Sequence, residues 1–421
     1  MAGNRSGVAA NRTERADRPS RATGLRTRLV GLLPDNVAQD LRATRRAVGR
    51  STAHARRLRP EPSFPPGPAG GNRLLVGPAN FAGQGWAWAR AAEAHLPDVG
   101  AVAMAIDTGR FDFPADYRVS PEHYRHPYWQ LRQERYVVGT FTAVLVEALR
   151  PVLGPRYADD CSGDIRALRG AGVSVGLVAH GSDVRLPSRH AEREPGSPFR
   201  RRDELTLRLE RQAARLGAVI NDFSGPTFVS TPDLLIDVPH ATWLPVVVDP
   251  DRWAGGQPAL TLRKPVVLHV PSNPWLKGSD VVNNVASTLA ARDLIEYRQL
   301  EAIPSADMPR VLADADIVID QLRMGLYGVA ACEAMAAGRV VVSYVGEHVR
   351  AHVRSSTGFD LPVIEADTTT LAEVLTSLVE DPESARERAA RGVEFVRAMH
   401  DGRRSAEVLH PWLTDVSATD P

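Results

Sequence analysis

The chain has 421 residues, 43% hydrophobic and 24% charged, with a formal net charge of +1. That length predicts two domains, each able to bury its own core, and the near-neutral balance argues against a dedicated nucleic-acid binder. The two cysteines, Cys161 and Cys332, lie far apart, which excludes a disulfide framework and a cysteine metal site and fits a reducing, cytoplasmic compartment. No apolar run approaches the roughly eighteen residues of a membrane span, and Met1–Ser20 lacks the apolar stretch of a secretory signal.

Charge is unevenly spread. Residues 1–60 carry fourteen Arg against four acids, so a basic arm precedes an acidic body. Residues 1–24 read as disordered. From Leu25, the spacing of Leu29, Leu33, Val37, Leu41, Thr44 and Val48 among arginines predicts a basic amphipathic helix, which Pro34 interrupts or whose first turn it marks. Residues 25–60 could dock on anionic lipid at the inner membrane face, or form a solvated tail. The Pro-rich stretch Pro60–Pro68 is a stiff linker that closes this arm, residues 1–72.

The first domain spans 73–250. Arg73–Gly77 predicts a buried strand, followed by the loop 78–85 and a helix over Trp86–Leu96. Further strands are expected at Val99–Ile106, Arg135–Val138, Val173–Ala179 and Ala218–Ile220. Helices are expected around Pro121–Gln133, Phe141–Val152, Ile165–Arg169 and Glu204–Arg215. The polar stretch Asp249–Arg263 connects to a second alternating series over 264–421. It comprises strands at Pro265–Val270, Ile295–Leu300, Ile317–Asp320 and Val340–Val345, with helices after Gly278, at Val329–Ala337 and from Thr369 to about Val408. Alternation of strand and helix calls for parallel, doubly wound sheets, so the fold class is α/β with two Rossmann-like domains. The last helices could cross back to the first domain.

Four segments carry candidate chemistry. Gly83-Gln-Gly85 before a helix allows backbone to approach a ligand, or makes a plain tight turn. A dinucleotide fingerprint needs a third glycine, and Trp88 stands there, which works against a nicotinamide dehydrogenase. His180-Gly-Ser-Asp183 follows an apolar strand, where a parallel sheet presents ligands. His180 could bond a sugar hydroxyl or stabilise developing charge. Asp183 could orient another group or pair with Arg185.

In the second domain Ser272-Asn-Pro-Trp-Leu-Lys-Gly278 again joins strand to helix. Lys277, one of only two lysines, with the amides at Gly278 would suit a diphosphate; the alternative is a surface lysine. Glu333 lies in an Ala-rich helix after Tyr327-Gly-Val329. A lone carboxylate among Ala, Cys and Met is costly to bury unpaired. Ribose hydroxyls would satisfy it, as would an arginine across the core.

Glu333-Ala-Met-Ala-Ala-Gly-Arg-Val-Val-Val, preceded by Tyr327-Gly-Val, resembles the donor-site signature of the retaining GT-B glycosyltransferases, the group 1 or family 4 type. Lys277-Gly278 and His180-Gly-Ser-Asp resemble that family's diphosphate lysine and N-domain histidine turn, in the family's order. The resemblance implies two Rossmann-like domains facing across a cleft, a nucleotide-sugar donor, no metal and no separate cofactor. With the basic arm it points to a glycan or lipid-linked acceptor in polysaccharide biosynthesis, while the near-absence of lysine suggests a high-GC bacterial source. Glu333 would hold the ribose hydroxyls, Gly328 and Val329 would lend amides, Lys277 would neutralise the leaving diphosphate, and His180 would sit beside the reacting sugar.

Two positions depart from the family pattern. Gly325 stands where a glutamate is usual, with Asp320, Gln321 or Arg323 as candidate replacements. Pro271 stands where an arginine is common, with Ser272, Asn273 or a distant arginine as replacements. Rival functions are a catalytically silent GT-B binding protein and a nucleotide-sugar epimerase.

Overall fold

A computed structural model describes residues 63–109 and 112–415. The basic arm, its amphipathic helix and its membrane contact lie outside the described residues. Among the described residues no helix is long and apolar enough to cross a membrane.

The N-terminal half runs β1 (Asn72–Gly77), α1 (Gln84–His95), β2 (Val99–Ile106), β3 (Tyr117–Val119), α2 (Pro127–Thr140), β4 (Ala143–Glu147), α3 (Ser162–Gly170) and β5 (Ser174–Ala179). It continues through α4 (Pro187–Arg193), α5 (Glu204–Asn221), β6 (Thr227–Val229) and β7 (Thr242–Trp243). Its sheet is parallel throughout, in the order β3-β2-β1-β4-β5-β6-β7. The centre is apolar on both faces: β4 is buried along its whole length, and Leu75 pairs with Val102 on one side and Val144 on the other. Helices on both sides demand such continuous runs.

The C-terminal half runs β8 (Val266–His269), α6 (Ser279–Ala291), β9 (Glu296–Gln299), β10 (Ile317–Ile319), α7 (Val329–Ala336), β11 (Val340–Ser343), α8 (Glu347–Thr357) and β12 (Ile364–Glu365). Three helices end it: α9 (Leu371–Glu380), α10 (Pro382–Met399) and α11 (Arg403–Asp415). This sheet is also parallel, in the order β12-β11-β10-β8-β9.

Three expected elements are corrected. Arg135–Val138 lies in α2, because Gln133 and Val137 form its buried face and the run continues a helix already begun at Pro127. Phe141–Val152, expected as a helix, contains β4, whose apolar run is sheathed by β1 and β5. Ala218–Ile220 closes α5, capped by the Asp203 carboxylate on the Thr206 amide, and the next strand is β6.

The two sheets share one compact unit, tied in three places. Trp412 of α11 packs on Phe228 at 6.1 Å and donates its indole hydrogen to Ser174 Oγ at 2.8 Å. The ring lies about one methyl's breadth over Gly176, where a Cβ would stand 3.0 Å from it. In the segment connecting the halves, Gln84 bonds both the amide and the carbonyl of Val247, while Trp88 Nε1 and Ser405 Oγ both donate to Pro245 O. On the far side Tyr344 donates to Glu194 at 2.6 Å and Phe199 meets Trp275 edge-on at 5.6 Å.

Candidate active site

The loops that follow the parallel strands of both sheets meet at a cleft, as α/β topology requires. A cavity of about 310 Å³ lies there. Its N-terminal wall is formed by Phe81, Ala82 and Gln84 of the glycine loop and by the turn His180–Asp183. Leu326, Gly328 and Val329 face them from the opposite half. Of the residues singled out in the sequence, the structure therefore brings His180, Asp183, Gly328 and Val329 to one cavity, with Gly83 capping α1 beside it and Gly85 in the first turn of that helix.

His180 follows β5 directly. Its ring lies edge-on to Phe81 at 5.4 Å and over the buried Trp88 at 5.5 Å. Trp88, which spoils a dinucleotide loop, is thus a platform beneath the histidine. Asp183, a catalytic candidate from sequence, lines the cavity, and its two oxygens accept from the amides of His180 (2.9 Å) and Gly181 (2.5 Å) and clamp the turn. It does not pair with Arg185, which binds the buried Asp233 instead.

A residue missed in the sequence stands behind the histidine. Glu147, at the carboxyl end of β4, is fully buried, and its Oε1 lies 3.4 Å from His180 Nε2. Its Oε2 accepts from the Asn80 amide at 2.8 Å. Gly85 makes room for it, since a Cβ there would stand 2.7 Å from Oε2. The surrounding backbone is strained: Asn80, Ala82, Ala148 and Leu149 all adopt left-handed conformations, with φ between 46° and 53°. Such residues cost about 1–3 kcal/mol each and cluster where surrounding structure enforces a functional geometry.

The C-terminal half contributes a second group of charges. Lys277 precedes α6, whose N-cap is Gly278 at φ +77°. Its ammonium binds Asp320 Oδ1 at 2.5 Å, at the end of β10. Glu333 lies on α7 four residues after Val329, hence on the same helix face. Protein surrounds its carboxyl on nearly every side, yet solvent still reaches the residue, so it is recessed rather than sealed. Among the described residues its carboxyl makes no hydrogen bond or ion pair. Loss of hydration pushes its pKa up to about 8, with Arg252 and Lys277 opposing and Asp320 adding to the shift. The arginine partner considered from sequence is thus absent as a contact, and Arg252 acts only at range.

The candidate replacements at the two departures are otherwise engaged. Gln321 braces its own loop, donating to the carbonyls of Leu326 and Tyr344. Arg323 binds Asp280 and the Trp275 carbonyl. The carboxylate that lies against Gly325 is Glu194 of the opposite half, 3.0 Å from where a Cβ would be. Asn273 Oδ1 accepts from the Leu276 amide at 3.3 Å, capping the turn that ends in Lys277, while Ser272 is exposed on the same loop. A second, open cavity of about 730 Å³ lies between Pro195–Pro198 and Trp275, with Arg200, Arg201 and Arg323 in its walls. Among the described residues no group of three or more His, Cys, Asp or Glu side chains is arranged to hold a metal ion.

No family model matches the chain, and no curated protein sequence does. Solved structures do match. HepE from Anabaena, crystallised with UDP and glucose, aligns over 81% of this chain and 98% of its own, with 12% identity and a TM-score of 0.51. Sucrose-phosphate synthase from Thermosynechococcus elongatus aligns over 82% of this chain and 99% of its own, with 14% identity and a TM-score of 0.51. The chain has the GT-B fold. Identity at this level speaks to architecture, and within the GT-B frame the cavity lies in the cleft between the two Rossmann-like sheets.

Proposed function

We propose that this GT-B chain is a glycosyltransferase, moving a hexose-type sugar from a nucleotide-sugar donor to a hydroxyl of a glycan or lipid-linked acceptor with retention of configuration. The observation that carries the reading is Glu333: a recessed, unpartnered carboxyl on the helix whose first residues line the cleft. Two ribose hydroxyls would supply the hydrogen bonds it lacks.

Lys277 and the amides at the start of α6 would take the diphosphate, the ammonium exchanging Asp320 for phosphate oxygens. There it would offset charge that develops as the glycosidic bond breaks. His180 would stand on the opposite wall beside the reacting sugar, and the departing phosphate would help remove the acceptor's proton. HepE holds UDP and glucose in its crystal, so a UDP-sugar is the first donor to test.

A second reading is a GT-B protein that binds nucleotide without turnover. The pairing of Lys277 with Asp320 supports it. Incubation with UDP-glucose and other nucleotide sugars separates the two, because an active transferase releases some free sugar to water. Sugar release that is lost in His180→Ala supports the transferase. Nucleotide binding without any release supports the silent protein, and a changed sugar still attached to its nucleotide would mark an epimerase.

A further inference from the structure

The pair Glu147 and His180 has an arrangement that the donor site does not explain. Among the described residues His180 Nε2 and Glu147 Oε1 are both buried without a hydrogen-bond partner, yet they lie 3.4 Å apart. Bonds of catalytic pairs are often long before substrate arrives and tighten on binding. The other carboxylate oxygen is committed to the Asn80 amide. Of the two neutral forms of the ring, the one with a bare Nε2 would aim a lone pair at the carboxylate. The form with Nε2–H gives the orphaned Oε1 its missing donor.

We propose that Glu147 is a positioning residue, holding the His180 ring with its proton on Nε2 so that Nδ1 serves the cleft as a hydrogen-bond acceptor for a substrate hydroxyl. The role of Nδ1 in transfer rests on the transferase reading; the tautomer does not. The strained backbone at Asn80, Ala82, Ala148 and Leu149 and the missing side chain at Gly85 serve this arrangement together. The Asn80 amide holds one carboxylate oxygen, and the space left at Gly85 admits it.

Glu147→Gln tests it, because the variant keeps the shape and loses one acceptor. The Asn80 amide requires the remaining oxygen, so the new amide nitrogen faces His180 and donates to Nε2, driving the ring proton to Nδ1. Nitrogen NMR of the full chain labelled at histidine reads the tautomer directly, with the His180 signals identified by their loss in His180→Ala. The expected result is Nε2–H in the native protein and Nδ1–H in Glu147→Gln, with a mixture in Glu147→Ala. In sugar-transfer assays Glu147→Gln should lower kcat about 100-fold or more, leaving the donor KM within about two-fold since the nucleotide contacts lie elsewhere.

A native Nδ1–H ring, or a tautomer unmoved by Glu147→Gln in a folded protein, overturns the proposal. An inverted tautomer in a protein that turns over no nucleotide sugar supports the role of Glu147 and counts against the transferase reading alone.

Discussion

The two walls of the cleft are built on opposite plans. On the N-terminal wall the polar groups are fixed by geometry: Glu147 is fully buried, Asp183 is bound to two amides, and four residues other than glycine are held left-handed around them. On the C-terminal wall the backbone is relaxed, with glycine at the positive-φ positions 278 and 325 and regular helices behind. There the tension is electrostatic: Lys277 is paired with Asp320, and Glu333 is held largely protonated at neutral pH. A wall that stores strain suits groups that must not move. A wall of exchangeable charges suits groups that a ligand will re-pair.

The contrast breaks most sharply at glycine. Gly85→Ala forces a methyl against the Glu147 carboxylate and should cost about 1–3 kcal/mol by overpacking, while also displacing the acid from His180. Gly328→Ala on the opposite wall meets only Leu326 Cδ1 at 3.8 Å, at an ordinary negative φ, and should stay within about 0.5 kcal/mol of native. Thermal unfolding of both variants checks the pair. Equal losses would mean that the N-terminal wall is no more constrained than the other.

Lys277→Ala should weaken binding of a nucleoside diphosphate about 10- to 100-fold, the size of a lost charged hydrogen bond, and leave the bare nucleoside nearly unaffected. Titration with both ligands measures this, and matching losses would remove the lysine from the phosphate site.

A further effect concerns pH. The folded Glu333 holds its proton up to about pH 8, whereas in the unfolded chain it would lose it near the ordinary glutamate value of 4.5. The folded state therefore binds one more proton across that window, and stability falls as pH rises through it. Glu333→Gln removes this slope, so its advantage in Tm over the native protein should widen by roughly a few degrees between pH 5 and 9. Parallel Tm curves would show that the carboxyl is not held protonated.

Both sheets could be read from alternating apolar strands and helices, and the C-terminal half follows its expected elements closely because glycines at 278, 328 and 338 mark its helix ends. The N-terminal half misled where a short apolar run has no period of its own. Ala143-Val-Leu-Val-Glu147 fits a buried strand or a buried helix equally, and only its neighbours β1 and β5 decide. That ambiguity concealed Glu147: placed in a helix it is an unremarked acid, whereas at the end of a parallel strand it stands where His180 stands. Asp183 was visible as a residue but not as a clamp, since its partners are backbone amides and leave no mark in sequence. The filling of the Gly325 region by Glu194, 131 positions earlier in the chain, depends on how the two halves dock.

The most direct test is calorimetric titration of the native chain and of Glu333→Ala with UDP, GDP, ADP and dTDP. The account predicts selective binding of one nucleotide by the native protein and a loss of roughly 10- to 100-fold in the variant, with the fold intact. Undiminished affinity in Glu333→Ala would contradict the ribose role of Glu333 on which the donor site is built.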